Sequence, residues 1–314
     1  MRQPLLVVMV PRAYAVTVLS APPRRVPLMQ PALSPSRAAD FLQCPMLYRF
    51  RVVDRLPEPP SPAAARGSLV HAVLERLFDL PAAERTTANA TALLPEAWAR
   101  MVEQEPSLAD LLPYADDGSV TVEDWFEQAA AFVERWFTLE DPTVLEPAER
   151  ELYVEAQVGE LTIRGYVDRL DEAPDGRLRV VDYKTGRAPS ETFEARALFQ
   201  LKFYALALWR SRGVMPSRLQ LVYLSDGQVL WIDPTEDELL ATERKIRALW
   251  AAIEQAATTG DWRARPGRIC SWCAHRALCP AWGGTPPPLP EDATLRALDP
   301  RSTGRPDPRT ADVD

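Results

Sequence analysis

The sequence predicts a core of sheet and helices, α+β or α/β, with a helical insertion ahead of the sheet. Three observations carry this. Apolar spacing is helical up to about residue 139, alternates as in strands from about 151 to 184, then gives a helix, two strands and a long helix. Gly159-Glu160 and Asp175-Gly176 separate the alternating stretches as hairpin turns would. The 31 prolines gather near residues 22–35, 57–62 and 280–308, so they mark loops and tails and leave the periodic segments intact.

The elements follow in order. Ser34-Pro35-Ser36 opens a helix with serine as N-cap, running through "SRAADFLQCPMLYRF" and disturbed at Pro45. After the proline-rich loop, "GSLVHAVLERLFDL" carries Leu69, Val73 and Leu77 at helical spacing. Two more helices are expected near 83–104 and 122–139, the second strongly amphipathic. "ELYVEAQV", "LTIRGYVDRLDE" and "RLRVVDYKT" read as three antiparallel strands. "EARALFQLKFYALALWRS" is a helix, "RLQLVYL" and "QVLWID" are strands, and "EDELLATERKIRALWAAIEQA" is a long helix. A cysteine-containing segment follows, and no internal repeat occurs.

The length, 314 residues, suffices for one large domain or two small ones. A formal net charge of −8 argues against a non-specific polyanion binder but leaves room for a local basic groove. "LLVVMV" near the N-terminus is broken by Pro11 and too short to span a membrane. Arg2 ahead of it and small residues after it allow a poor signal peptide. Residues 1–30 are read instead as a disordered extension, or as a start codon chosen upstream of one near Met29. Beyond about residue 283 the chain is Pro-, Asp- and Arg-rich, so 284–314 is expected to be a disordered tail. A cytoplasmic location is expected.

Alternation along "RVVDYKT" puts Val180, Asp182 and Lys184 on one face and Val181 and Tyr183 on the other. An aspartate beside a lysine could be an ordinary ion pair, worth little at a surface. Asp168 changes this reading, because hairpin pairing brings it within reach of Asp182. Facing carboxylates repel, and a divalent cation between them makes the pair tolerable. Hard oxygen ligands suit Mg²⁺ or Mn²⁺. Lysine then fits as the group that positions or deprotonates water, or that stabilises charge on a phosphate.

His71 and Glu75 are four apart on one helix face, as are Gln200 and Tyr204. Singly, each pair reads as an ordinary helix surface or as core packing. His71 could add a ring-nitrogen ligand, which favours Mn²⁺ over Mg²⁺. Cys44, Cys270, Cys273 and Cys279 are spaced like ligands rather than like a secreted disulfide framework. Four thiolates suit zinc or an iron–sulfur cluster, and spacing alone leaves both open. His275 lies inside that loop as a further ligand or a packing residue.

Asp168…Asp182-Tyr183-Lys184 resembles the D…(D/E)-x-K signature of the restriction-endonuclease-like nuclease superfamily. With Gly67-x₃-His71-x₃-Glu75 before it and Gln200-x₃-Tyr204 after it, the order is similar to that of RecB-family exonucleases, over roughly residues 34–280. The resemblance implies an α/β, restriction-endonuclease-like core, a mixed sheet flanked by helices, with an N-terminal helical insertion and a domain spanning 31–283. It implies metal binding by His71, Asp168 and Asp182. Catalytic roles would fall to Asp168, Asp182, Lys184, Gln200 and Tyr204. One cysteine before the core and three after it are similar to the iron–sulfur staple of the AddB nuclease domain and the CRISPR adaptation nucleases. On that resemblance a 4Fe–4S cluster on Cys44, Cys270, Cys273 and Cys279 is expected, with Zn²⁺ as the alternative.

The activity implied is a Mg²⁺- or Mn²⁺-dependent deoxyribonuclease, an exonuclease on single-stranded DNA ends in repair or recombination. A CRISPR-type adaptation nuclease and a non-catalytic, cluster-stapled DNA-binding subunit are the alternatives. No Walker A segment occurs, so any unwinding belongs to a helicase or repair partner. Arg37, Arg49, Arg51 and Arg55 upstream and Arg263, Arg265, Arg268 and Arg276 downstream converge if the two ends are joined. They would then supply a basic surface. Trp262 and Trp272 would either stack on bases or pack around the cluster.

Overall fold

The structure is a computed structural model that describes residues 31–59, 61–111, 121–188 and 191–299, with backbone alone over 191–197. The expectations for residues 1–30 and for the last part of the tail, 300–314, lie outside the described residues.

The chain begins with β1 (Ala32–Leu33), α1 (Pro35–Gln43) and α2 (Pro45–Tyr48), which continues as a π-helical turn over Arg49–Val53. Ser34 caps α1 by accepting from Arg37 N, and Pro45 restarts the helix after Cys44 leaves it in extended conformation. The insertion is α3 (Pro62–Leu77), α4 (Thr87–Ala92), α5 (Leu94–Gln104) and α6 (Val122–Leu139). Ser61 caps α3, and a reciprocal Thr121–Asp124 capping box starts α6. Then come β2 (Glu149–Val158), β3 (Leu161–Glu172), β4 (Leu178–Lys184), α7 (Glu191–Arg212), β5 (Arg218–Tyr223), β6 (Gln228–Ile232) and α8 (Glu236–Thr259). Three 3₁₀ turns lead to α9 (Ala293–Leu298).

The sheet is mixed. Its order is β1-β3-β4-β5-β6, with β2 also on β3. β2–β3 and β3–β4 are antiparallel, as the turn residues predict, and Gly159 and Gly176 both take positive φ there. β4 and β5 run parallel, connected through α7. Helices cover both faces. Val181, Tyr183 and Val222 pack with α3 to α6, around Leu69, Val73 and Trp136. Val180, Leu219 and Leu221 pack with α7 and α8, around Leu201, Ala205 and Ile246. The alternation read from "RVVDYKT" therefore separates two cores. No helix among the described residues is long and apolar enough to cross a membrane.

Two expectations need correction. The first is the tail. Over residues 284–299 the chain is placed, and α9 buries Ala297 and Leu298 in the core. Tyr48 Oη donates to Ala297 O at 2.6 Å. A few apolar residues suffice to seat so short a helix, and proline-rich composition conceals them.

The second is the four-cysteine staple. Cys44, Cys270, Cys273 and Cys279 are all free thiols. Among the described residues their sulfurs do not form a group close enough to share a metal. Cys44 Sγ accepts from Arg265 N and Cys270 Sγ from Gly267 N, each at 3.3 Å. Burial pushes the Cys279 thiol pKa up, and the other three cysteines add to that, so the loop gathers the sulfurs in one region without converging them. The chain ends are joined by other means. Trp262 stacks on Tyr48, with ring centroids 5.8 Å apart, and meets Phe41 edge-on. Arg265 donates to Leu42 O, and Arg49 to Pro287 O. His275 is buried, 2.8 Å from Glu58 and against the Phe50 ring, so it packs rather than ligates.

Candidate active site

The site forms where β2, β3 and β4 lie side by side and a helix from each covering layer reaches them. Asp168 is on β3. The β3–β4 ladder ends at Arg169↔Val181, and its continuation sets Asp168 opposite Asp182. Asp168 Oδ2 accepts from Tyr183 N at 2.8 Å. His71, on α3, has Nε2 2.9 Å from Tyr183 O and Nδ1 3.5 Å from Asp168 Oδ2. Tyr183, the unspecified residue of Asp-x-Lys, thus positions both with its backbone.

Lys184 Nζ lies 2.6 Å from Asp182 Oδ2 and donates to Gln200 Oε1 at 3.0 Å. Gln200 Nε2 donates to Asp182 Oδ1 at 3.1 Å and to Tyr204 Oη at 3.0 Å. The amide orientation is dictated, because an ammonium only donates and a carboxylate only accepts. The Lys184 contact with Asp182 Oδ2 is off the hydrogen-bond direction, so this oxygen is sealed from solvent with no hydrogen-bond donor among the described residues. Burial holds the Tyr204 phenol well above its usual range, so it stays protonated.

Asp168 is raised to about 6, first by burial and then by the Asp182 charge; His71 and the Tyr183 N–H pull the other way. Two carboxylates and few compensating donors make a site short of positive charge.

Glu151 was not anticipated. His71, Glu151 and Asp168 each bring a ligand atom within 4.8 Å of the others, the one such group among the described residues. Glu151 faces Asp168 across the β2–β3 hairpin, between the pairs Arg150↔Arg169 and Leu152↔Val167. It takes φ 45°, a left-handed conformation rare for a residue other than glycine. Asp182 lies outside this group and faces Lys184 instead. Glu75, whose side chain was given no role, borders the same cleft.

Gly165 also escaped notice. A Cβ there would lie 2.6 Å from Tyr204 Cε1 and 3.3 Å from Pro35 Cδ. The missing side chain lets the Tyr204 ring lie on β3 and hold Gln200. Beneath the site, Arg169 is buried and donates to both oxygens of Glu140, to Asp171 and to Tyr183 Oη. Gln200 and Lys184 thus hold one side of Asp182, and an ionic cluster fixes the strand from the other.

The donor set of His71, Glu151 and Asp168, one nitrogen and two carboxylates, fits a divalent cation of the Mn²⁺ or Mg²⁺ kind. Nothing comparable exists for a 4Fe–4S cluster or for Zn²⁺ on the cysteines, and those two cofactor expectations are withdrawn.

Comparison with known proteins gives three findings. The family model of the PD-(D/E)XK nuclease superfamily matches residues 32–280. The Gene 69 protein of Mycobacterium phage D29 is 29% identical over 273 residues, covering 80% of this chain and 97% of its own. Among solved structures, a candidate exonuclease from Eubacterium rectale aligns with TM-score 0.48 and 11% identity, over 78% of this chain and 88% of that one. The protein SSO0001 aligns with TM-score 0.37 and 15% identity, over 80% and 87%. Both structural likenesses are too distant to carry a functional inference. The narrower RecB-family expectation, read from the order of His71, Asp168, Lys184, Gln200 and Tyr204, is cut back to the superfamily that the match gives, and the cysteine staple expected with it is absent because the sulfurs do not converge. The superfamily match spans most of the chain and includes every residue of the site just described, so this chain belongs to the PD-(D/E)XK nuclease superfamily.

Proposed function

We propose that the protein is a Mg²⁺- or Mn²⁺-dependent deoxyribonuclease that degrades single-stranded DNA from its ends, in DNA repair or recombination. One observation carries the reading. The Lys184 ammonium, held against Asp182 and Gln200, lies close enough to Asp168 of the His71–Glu151–Asp168 group to act on its charge.

Each residue has a task in this reading. Lys184 offers its ammonium group to a non-bridging phosphate oxygen, where negative charge grows during attack. Gln200 fixes the ammonium against Asp182, and Tyr204 fixes Gln200. A water oxygen forms a bond to phosphorus in line with the departing O3′. The water gives up a proton to solvent, the P–O3′ bond breaks to leave a 5′-phosphate, and the 3′-alkoxide takes up a proton from solvent to become a 3′-hydroxyl. His71, Glu151 and Asp168 would hold the cation. When bound there, the cation polarises phosphoryl oxygen and lowers the pKa of water.

The test is cleavage of end-labelled single-stranded DNA by the wild type and by Lys184→Ala, with Mg²⁺ and then Mn²⁺. Cleavage by the wild type alone is expected, and the label's position gives the polarity. If the wild type, folded and metal-loaded, releases nothing, or if Lys184→Ala cuts as well, the reading fails. Labelled RNA and duplex DNA in the same assay decide substrate class.

A further inference from the structure

The segment after α8 leaves two of its tryptophans exposed. Trp262 is buried and stacked on Tyr48, whereas Trp272 is 71% exposed and Trp282 is 49% exposed. The Arg276 guanidinium lies 4.0 Å from the centroid of the Trp282 ring. Both tryptophans line one open groove with Arg268 and Arg276.

Charge narrows the occupant. Residues 262–290 hold four arginines and no aspartate or glutamate, in a chain of net charge −8. Two of the upstream arginines are neutralised: Arg49 pairs with Asp54, and Arg51 with Asp40 and Glu58. Arg263 pairs with Asp261. Arg268 and Arg276 meet no carboxylate within ion-pair distance among the described residues. Exposed aromatic faces among unpaired arginines suit a chain of bases on a phosphate backbone.

Placement fits as well. Pro35, at the start of α1, lies beside the space between Gly165 and Tyr204. Cys44, at the end of α1, touches Arg265 at the head of this segment. The nine residues of α1 span about 13 Å at 1.5 Å each. The groove therefore opens roughly one short helix away from the Tyr204 side of the site.

We propose that Trp272, Trp282, Arg268 and Arg276 form a stacking platform for single-stranded DNA, which holds the strand while its end lies at Asp182 and Lys184. This rests on the nuclease reading. Bases stack on the two indoles, and the guanidinium groups meet the phosphates.

The experiment measures binding without cleavage. The full chain, in EDTA, is titrated against fluorescein-labelled oligothymidylates of increasing length and followed by anisotropy. Trp272→Ala/Trp282→Ala should bind the longer strands on the order of ten- to a hundredfold more weakly than the wild type. Trp272→Phe/Trp282→Phe keeps the aromatic faces and should stay within about threefold of the wild type. Arg276→Gln should lower the slope of log affinity against log salt by about one, and the tryptophan changes should leave it alone. Equal binding by the double alanine variant overturns the platform. So does an equal loss of affinity for blunt duplex, because stacking needs unpaired bases. Strands that bind through the platform but are never cut in Mg²⁺ or Mn²⁺ would refute the proposed function and spare the platform.

Discussion

His71 donates its Nε2–H to the carbonyl oxygen of Tyr183 at 2.9 Å. A carbonyl can only accept, so Nε2 carries a proton, and in the uncharged tautomer the lone pair sits on Nδ1. That lone pair faces Asp168 Oδ2 at 3.5 Å. Two electron-rich atoms at this distance suit a cation between them, and the Tyr183 carbonyl serves as the orienting partner that metal-binding histidines usually have.

Glu151 should tighten the same site. Glu151→Gln keeps the shape and removes the charge. Mn²⁺ affinity, read by titration calorimetry, should fall on the order of ten- to a hundredfold. Unchanged affinity would remove Glu151 from the ligand set.

Gln200→Ala should leave Lys184 mobile against Asp182 and lower kcat/KM for a DNA substrate by on the order of a hundredfold. Tyr204→Phe removes only the acceptor of one Gln200 hydrogen bond, so it should cost about tenfold or less. A Tyr204→Phe loss as large as that of Gln200→Ala would mean that the phenol acts directly.

Asp168 gives a pH dependence. Its folded pKa, about 6, lies above the ordinary aspartate value of 3.8, so its ionisation destabilises the metal-free fold. The stability it contributes is fully present below about pH 4 and is lost as pH rises through about 6. Asp168→Asn has no such charge. In EDTA above pH 7 it should melt higher than the wild type, by up to about 3 kcal/mol in unfolding free energy, and the gap should close toward pH 4. Thermal scans across pH check this. A variant less stable at every pH would contradict it.

Gly165→Ala places a methyl group against the Tyr204 ring and Pro35. It should destabilise the fold by about 1–3 kcal/mol. Combined with Tyr204→Leu, the effects should be markedly non-additive in urea titration, because the second change removes the clash.

Arg169→Met breaks a buried cluster and leaves Glu140 and Asp171 without their shared cation. A loss of about 3–5 kcal/mol is expected in denaturant unfolding. A near-neutral outcome would mean that the carboxylates take up protons or reach solvent.

The site was legible where strand alternation and helix spacing fix direction. Asp182 and Lys184 follow from period two, His71 and Gln200–Tyr204 from their helical faces. Glu151 could have been found by counting outward from Gly159-Glu160, since equal steps from that turn reach Glu151 and Asp168. It opens the segment "ELYVEAQV" that the sequence marks as a strand, where an acid is unremarkable. Gly165 leaves no trace in alternation, since its importance lies in a ring arriving from α7. The cysteines misled because sequence spacing sets how far apart sulfurs can be and does not set where they point. Cys270 lies within one short 3₁₀ turn, Cys273 in the loop after it, and Cys279 between the next two.

His71 comes from the helical layer on one side of the sheet, and Gln200 from the layer on the other. The strands alone carry the acids and the lysine, yet neither the histidine nor the glutamine is present until both layers have docked. A nascent or heat-loosened chain would hold a dismantled cutting site. The architecture ties the capacity to cut to completed folding.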